Sequence, residues 1–189
     1  FLKEKFNYWE KKFSTENIVQ CRTIDKRFNF LWKKVKTSQT NTIIFQRDVN
    51  WLKWHLDPFL KRKTVWIFFS IKNNKINGYT ICILKKNSEK EIKSALLIDL
   101  IVFNDFDQTS KNLIGANIKE AKKRNCDIFE FRGFNEKNRK YMKFFRPFNK
   151  KLLLNPFYYR SKNKKLDKLL SNSKFWNPSY IDGDAIVSL

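Results

Sequence analysis

The sequence predicts an α/β protein built on one mixed sheet with helices on its faces. Three observations predict it. Two apolar runs, Thr64 to Ile71 and Tyr79 to Leu84, flank a polar turn, Lys72 to Gly78, that carries Asn73 and Asn74, so they read as a hairpin. A third run, Ala95 to Phe103, is almost continuously apolar, as a strand buried on both faces is. A helical period separates it from a fourth run, Cys126 to Phe131, and a helical crossover makes these two strands parallel. The expectation is a mostly antiparallel sheet that ends in a parallel βαβ unit.

The remaining elements follow in chain order. Asn17 to Thr23 is β-capable. Asp25 is placed as an N-cap, and Phe28, Leu31, Trp32 and Val35 recur at helical spacing through Lys36. Thr42 to Gln46 is a short strand candidate. Asp48 caps a second short helix with Val49, Leu52 and Leu56 on one face, and Asp57-Pro58 should end it, because a residue before proline disfavours the helical region. Ser110 to Arg124 reads as an amphipathic helix with Leu113, Ile114, Ile118 and Ala121 inward. Glu136 to Phe145 reads as another, with Tyr141, Phe144 and Phe145 apolar. Leu152 to Tyr159 is an expected strand, Leu166 to Leu170 a helical turn, and Asp184 to Val187 a last strand.

Composition limits the alternatives. A chain of 189 residues with 42% hydrophobic and 16% aromatic residues holds one well-packed domain and is not compositionally disordered. We expect residues 1–24 to be a lead-in, the end of a preceding segment, and 25–189 to be the domain. The chain begins at Phe1 rather than Met and so reads as a piece of something longer. No apolar run approaches the roughly 20 residues of a transmembrane helix. The three cysteines, Cys21, Cys82 and Cys126, are far apart, and His55 is the single histidine, so neither a disulfide framework nor a Cys/His zinc site is expected. A cytoplasmic location follows from that cysteine usage. The net charge of +22 reads either as attraction to an anionic partner or as the compositional bias of a Lys-, Asn-, Ile- and Phe-rich sequence. Basic residues are spread along the whole chain, and any nucleic-acid binding should be non-specific and salt-sensitive.

Five local patterns stand in order from Phe28 to the end. They are Phe28-Asn29-Phe30-Leu31-Trp32; Arg47-Asp48 followed by Leu52 and Trp54; Gly78-Tyr79; Asp99-Leu100; and Trp176-Asn177-Pro178-Ser179-Tyr180-Ile181-Asp182-Gly183-Asp184. Together with the element order they resemble the GNAT superfamily of acyl-CoA N-acyltransferases, in the branch found as a C-terminal module of larger bacterial proteins. Fem-type peptidyltransferases share the fold.

The resemblance implies an N-acyltransferase that moves an acyl group, acetyl first, from acyl-CoA to an amine of a small molecule, amino sugar or peptide, without a metal. It implies that the cofactor lies between the third and fourth of the strands above and that its pyrophosphate meets the loop and helix start that follow, where free N–H groups and the helix dipole favour an anion. The residues so placed are Phe103, Asn104, Gln108, Thr109, Ser110 and Lys111. The family's Q/R-x-x-G-x-G/A pattern would start at Gln108, but neither glycine is present, and Lys111 supplies a charge instead. Gly115 comes later, inside the helix. The family's acid is often a tyrosine on the next helix; Tyr141, two residues off register, is the candidate, and core packing is its other reading. Asp99 is the candidate base, because a carboxylate inside a buried strand is costly unless paired. Its other reading is a structural partner for an arginine. Two further functional readings stand beside catalysis: a silent acceptor-recognition module, and a basic nucleic-acid-binding protein.

Overall fold

The computed structural model describes residues 13–87, 91–104, 106–149 and 158–183. Their elements are β1 (Ile18–Cys21), α1 (Lys26–Ser38), α2 (Val49–Lys61), β2 (Val65–Lys72), β3 (Lys75–Asn87), β4 (Ile92–Val102), α3 (Phe106–Lys123), β5 (Ile128–Phe131), α4 (Glu136–Lys143) and α5 (Lys164–Leu170), with 3-10 turns at Ser173–Phe175 and Tyr180–Asp182. The five strands lie in the order β1-β2-β3-β4-β5. The first three pairings are antiparallel and β4 pairs β5 in parallel. The predicted mixed sheet is therefore the observed one.

Strict alternation along β2 divides the core. Val65, Ile67 and Phe69 join one cluster with Phe28, Leu31 and Val35 of α1 and Leu52, Leu56 and Phe59 of α2. Trp66 and Phe68 join the other with Leu113, Ile114 and Ala121 of α3 and Tyr141 and Met142 of α4. Each fully buried side chain of this size contributes about 1.5–3 kcal/mol by leaving water. Both caps form as predicted: Asp25 accepts from Arg27 N and Asp48 from Trp51 N.

Several boundaries differ from the sequence reading. The hairpin turn is only Asn73-Asn74, both at positive φ (50° and 56°), which matches the twist of the flanking strands and lengthens β3. Gly78 lies in the strand instead, where a Cβ would come within 2.8 Å of Ile101 O. Helix α2 does not stop at Asp57; Pro58 sits in its last turn, where losing one intrahelical bond is tolerable and burial of Leu56 and Phe59 holds the turn. Thr42 to Gln46 forms no strand, only an isolated bridge from Ile43 to Trp176. Helix α3 starts at Phe106, ahead of the expected Ser110. The expected lead-in, 1–24, contains β1, which pairs with β2, and Phe13, whose ring occupies the space that a Cβ at Gly115 would need. Of the expected strand Leu152 to Tyr159, residues 152–157 lie outside the described residues, while Tyr158 and Tyr159 pair with no strand; Asp184 to Val187 also lies outside. No described helix is long and apolar enough to cross a membrane.

Candidate functional site

The site begins with an irregularity in β4. Opposite β3, Ile81 pairs with Asp99 but Cys82 pairs with Leu97, so Ile98 is an extra residue, a β-bulge. The bulge puts Ile98 and Asp99 both toward the α1/α2 side, where regular alternation would send Asp99 to the α3 side. The β4–β5 pairing stops at the same point: its last pair is Leu97 with Phe131, while β4 runs on to Val102. Strand β5 itself ends at Phe131, so the last residues of β4 have no parallel partner, and a pocket lies beside them. It is lined by Leu100, Ile101, Val102, Phe106, Ser110, Asn138, Asn177 and Gln39, and it is small, a cavity of about 20 Å³.

The pocket's polar lining comes from three directions. Ser110, on α3, is 1% exposed, and its Oγ has no hydrogen-bond partner among the described residues. Asn138 of α4 and the N-cap Asn135 both donate to Asn177 Oδ1, at 3.1 and 2.8 Å, clasping the C-terminal segment to the start of α4. The preceding loop is held by Asn77: its carbonyl accepts from Phe103 N (2.8 Å), its side-chain oxygen from Asn104 N (3.3 Å), and its amide donates to Asn104 O and Thr109 Oγ1. On the outer side of α3, Gln108 donates to Asn112, and Lys111 pairs with Asp107 at 2.6 Å while lying over the Phe144 ring.

Next to the pocket, on the α1/α2 side, the five sequence patterns converge. Arg47 is 1% exposed and its Nε donates to Asp99 Oδ2 at 2.8 Å. Its Nη2 donates to Ser179 Oγ at 2.9 Å and touches Asp182 Oδ1 at 2.5 Å, outside hydrogen-bonding geometry. Tyr79 OH and Ser179 Oγ donate to the two oxygens of Asp99, at 2.7 and 2.8 Å. Ser179 N donates to Asp182 Oδ2 at 2.8 Å, closing the 3-10 turn. Phe28 packs edge-on against the Tyr79 ring, and the guanidinium lies 4.5 Å from the Trp51 ring centre. Trp54 instead points to solvent.

One cation therefore serves two carboxylates. Burial disfavours a charged Arg47, but Asp99 and Asp182 more than offset it and hold the guanidinium protonated well beyond its ordinary range. Burial, only partly countered by Arg47, pushes the Asp182 carboxyl up to about 6. Burial and the Asp99 charge push the Tyr79 phenol far up, so it is a donor only. On the other face Tyr141 is 2% exposed within the α3/α4 core, and burial, with Asp107 adding to it, raises its phenol. Among the described residues no three His, Cys, Asp or Glu side chains gather as a metal site.

Of the expected cofactor residues only Ser110 lines the pocket; Phe103 packs on the α1/α2 side, Asn104 and Thr109 are tied to Asn77, Gln108 is exposed, and Lys111 lies half-buried over Phe144. Asp99 and Tyr141 lie on opposite faces of the sheet. Sequence reading missed Asn77, Asn117, Asn138 and Arg47 as organising residues. Arg47 stands in one of the five patterns, and its signal is an arginine beside an N-cap with Asp99 and Asp182 far downstream.

A mixed five-stranded sheet, antiparallel through β1 to β4 and parallel from β4 to β5, with helices on both faces, is the acyl-CoA N-acyltransferase (GNAT) fold. Solved acetyltransferases share it. A predicted acetyltransferase with acetyl-CoA from Clostridium acetobutylicum matches at a TM-score of 0.57 and 14% identity, over 75% of this chain and 95% of that one. Glucosamine-6-phosphate N-acetyltransferase from Arabidopsis thaliana matches at 0.56 and 12%, over 76% and 100%. An aminoglycoside acetyltransferase from an uncultured soil metagenomic sample, in complex with sisomicin, matches at 0.56 and 16%, over 79% and 100%. No protein-family model matches the sequence. No curated protein matches it either.

Proposed function

We propose that the chain is an N-acyltransferase that moves an acyl group, acetyl first, from acyl-CoA to an amine of a small molecule, amino sugar or peptide. The observation that carries this reading is a pocket beside the stretch of β4 that runs on past the end of β5, lined by a buried Ser110 hydroxyl without a partner among the described residues. Such a hydroxyl is unfavourable without a partner, and a polar ligand entering the pocket would supply one. The residues present fit the cofactor in this respect. Ser110 would face it, Gln108 and Lys111 would approach its phosphates from α3, and Phe103, Asn104 and Thr109 would shape the loop that Asn77 holds. Bound acyl-CoA supplies the thioester carbonyl that an amine attacks. Tyr141, kept protonated by burial, is the candidate proton donor to the leaving sulfur. Asp99 enters as the anchor of Arg47 rather than as a base, because both of its oxygens are taken.

Calorimetry with acetyl-CoA tests the reading. Binding is expected, with a stabilisation of about 2.7 kcal/mol at a hundredfold excess over Kd. Lys111→Glu should weaken binding, and Tyr141→Phe should leave it intact while slowing turnover. A second reading, a silent acceptor-recognition module, is favoured by Asn77, which already consumes the N–H groups of Phe103 and Asn104. No heat and no thermal shift at millimolar acetyl-CoA would make it the better account.

A further inference from the structure

The stretch 158–174 differs from the rest of the described chain. None of its residues is buried. It contains α5, a helix without a single buried side chain. A helix of this length has no stability of its own; this one rests on the 3-10 turn that follows and on Trp176, whose Nε1 donates to Leu170 O at 2.8 Å.

Its chemistry is two-sided. Arg160, Lys162, Lys164, Lys165, Lys168 and Lys174 stand against one acid, Asp167. None of these basic side chains pairs with a carboxylate among the described residues. Between them lie apolar groups: Leu166, Leu169 and Leu170 at spacings of three and four form one stripe, with Leu166 45% exposed, and Tyr158 is 90% exposed. Stray exposed apolar residues need no explanation, but a leucine stripe edged by lysines on a helix with no buried side chain, its Leu166 exposed and its Leu169 and Leu170 half-buried, is a surface suited to a second phase.

We propose that this arm docks the protein onto an anionic lipid surface. Lysines and arginines meet phosphate headgroups, while leucines leave water for the acyl boundary and tyrosine sits at headgroup level. The leucines decide against nucleic acid, since bases stack on planar groups and a Leu stripe offers none. The proposal does not rest on the acyl-transfer reading.

The test is sedimentation of the full chain with vesicles of phosphatidylcholine alone and of an equal mixture with phosphatidylglycerol. Binding is expected only to the mixture, and it should weaken as salt rises. Reversing three arm charges, Lys164→Glu with Lys165→Glu and Lys168→Glu, should weaken it about a hundredfold. Leu166→Ser with Leu169→Ser leaves the charge unchanged and should weaken it about tenfold. Lys53→Glu with Lys61→Glu and Lys75→Glu makes the same change of net charge on other exposed positions and should weaken it far less. Equal loss in that control would overturn the proposal, because net charge alone would then explain binding. It would also be overturned if the leucine variant bound undiminished, or if the arm variants lost single-stranded RNA while keeping the vesicles.

Discussion

Two polar networks are buried on opposite faces of the same sheet, and they are built on different terms. On the α3 side the network is neutral: Asn117 accepts from Trp66 Nε1 at 3.0 Å and donates to Thr80 Oγ1 at 2.6 Å and Leu113 O at 2.7 Å. It pins one helix to two adjacent strands. On the α1/α2 side the network is ionic, with Arg47 between Asp99 and Asp182, and it reaches across 132 positions from Arg47 to Ser179. The neutral network can lose a member and leave only an unpaired dipole. The ionic one cannot lose Arg47 without leaving two buried carboxylates facing each other. The difference shows which network holds the C-terminal turn in place: the charged one reaches it, and the neutral one does not.

The largest expected effect breaks the ionic side. Arg47→Ala should destabilise the fold by about 3–5 kcal/mol, because breaking a buried pair strands its partners. Urea unfolding measures it, and a loss below about 1 kcal/mol would show that the cluster does not carry the turn. Next, Asn117→Ala should cost about 1–3 kcal/mol, the desolvation left on Trp66 and Thr80. If it cost as much as Arg47→Ala, the contrast between the networks would fail.

The third prediction sharpens the contrast through pH, since only the ionic network titrates near neutrality. Asp182 has a folded pKa of about 6 against an ordinary 3.8. The folded state therefore binds its proton more tightly, so this group's contribution is fully present below about 4 and is lost as pH rises through about 6. His55, lowered by burial, acts in the opposite direction near the same window: its contribution is present above 6.5 and falls away as pH drops. The difference in Tm between Asp182→Asn and the parent, followed from pH 7.5 to 4.5, isolates the aspartate. The parent should gain on the variant as pH falls; a flat difference would show that Asp182 does not titrate there.

The smallest effect belongs to a surface pair outside both networks. Asp107→Asn frees Lys111 from its exposed partner and should change stability by less than about 0.5 kcal/mol. Acetyl-CoA affinity should rise in that variant, because the acid beside the expected phosphates is gone; weaker binding in the calorimeter would place the phosphates elsewhere.

The participants differ in how visible they are in the sequence. Asp99 stands out as a charge inside an apolar run, and the patterns containing Arg47, Tyr79 and Asp182 can be seen as separate pieces. Asn117 carries no such signal: one asparagine in a polar-rich helix looks like any surface residue until the helix is docked. Asn138 is equally silent, because a pocket lining is a property of neighbours far apart along the chain, and Ser110 stands out only through the resemblance.

What the sequence determined by itself is what short-range physics controls. Caps at Asp25 and Asp48, the alternation of β2, the Asn-containing turn and the helical crossover into β5 depend on a few adjacent residues, so α1, α2, the hairpin and the parallel pair could all be expected. What tertiary structure alone decided is where long-range packing overrides a local preference. Burial of Phe59 carries α2 past Pro58; pairing with Trp176 leaves Thr42 to Gln46 a single bridge; β1 and Phe13 are drawn into the domain by a sheet edge and a glycine surface. Above all, the extra residue in β4 turns Asp99 to the face where Arg47 waits. A bulge is a matter of register between two strands, and register exists only once both have folded.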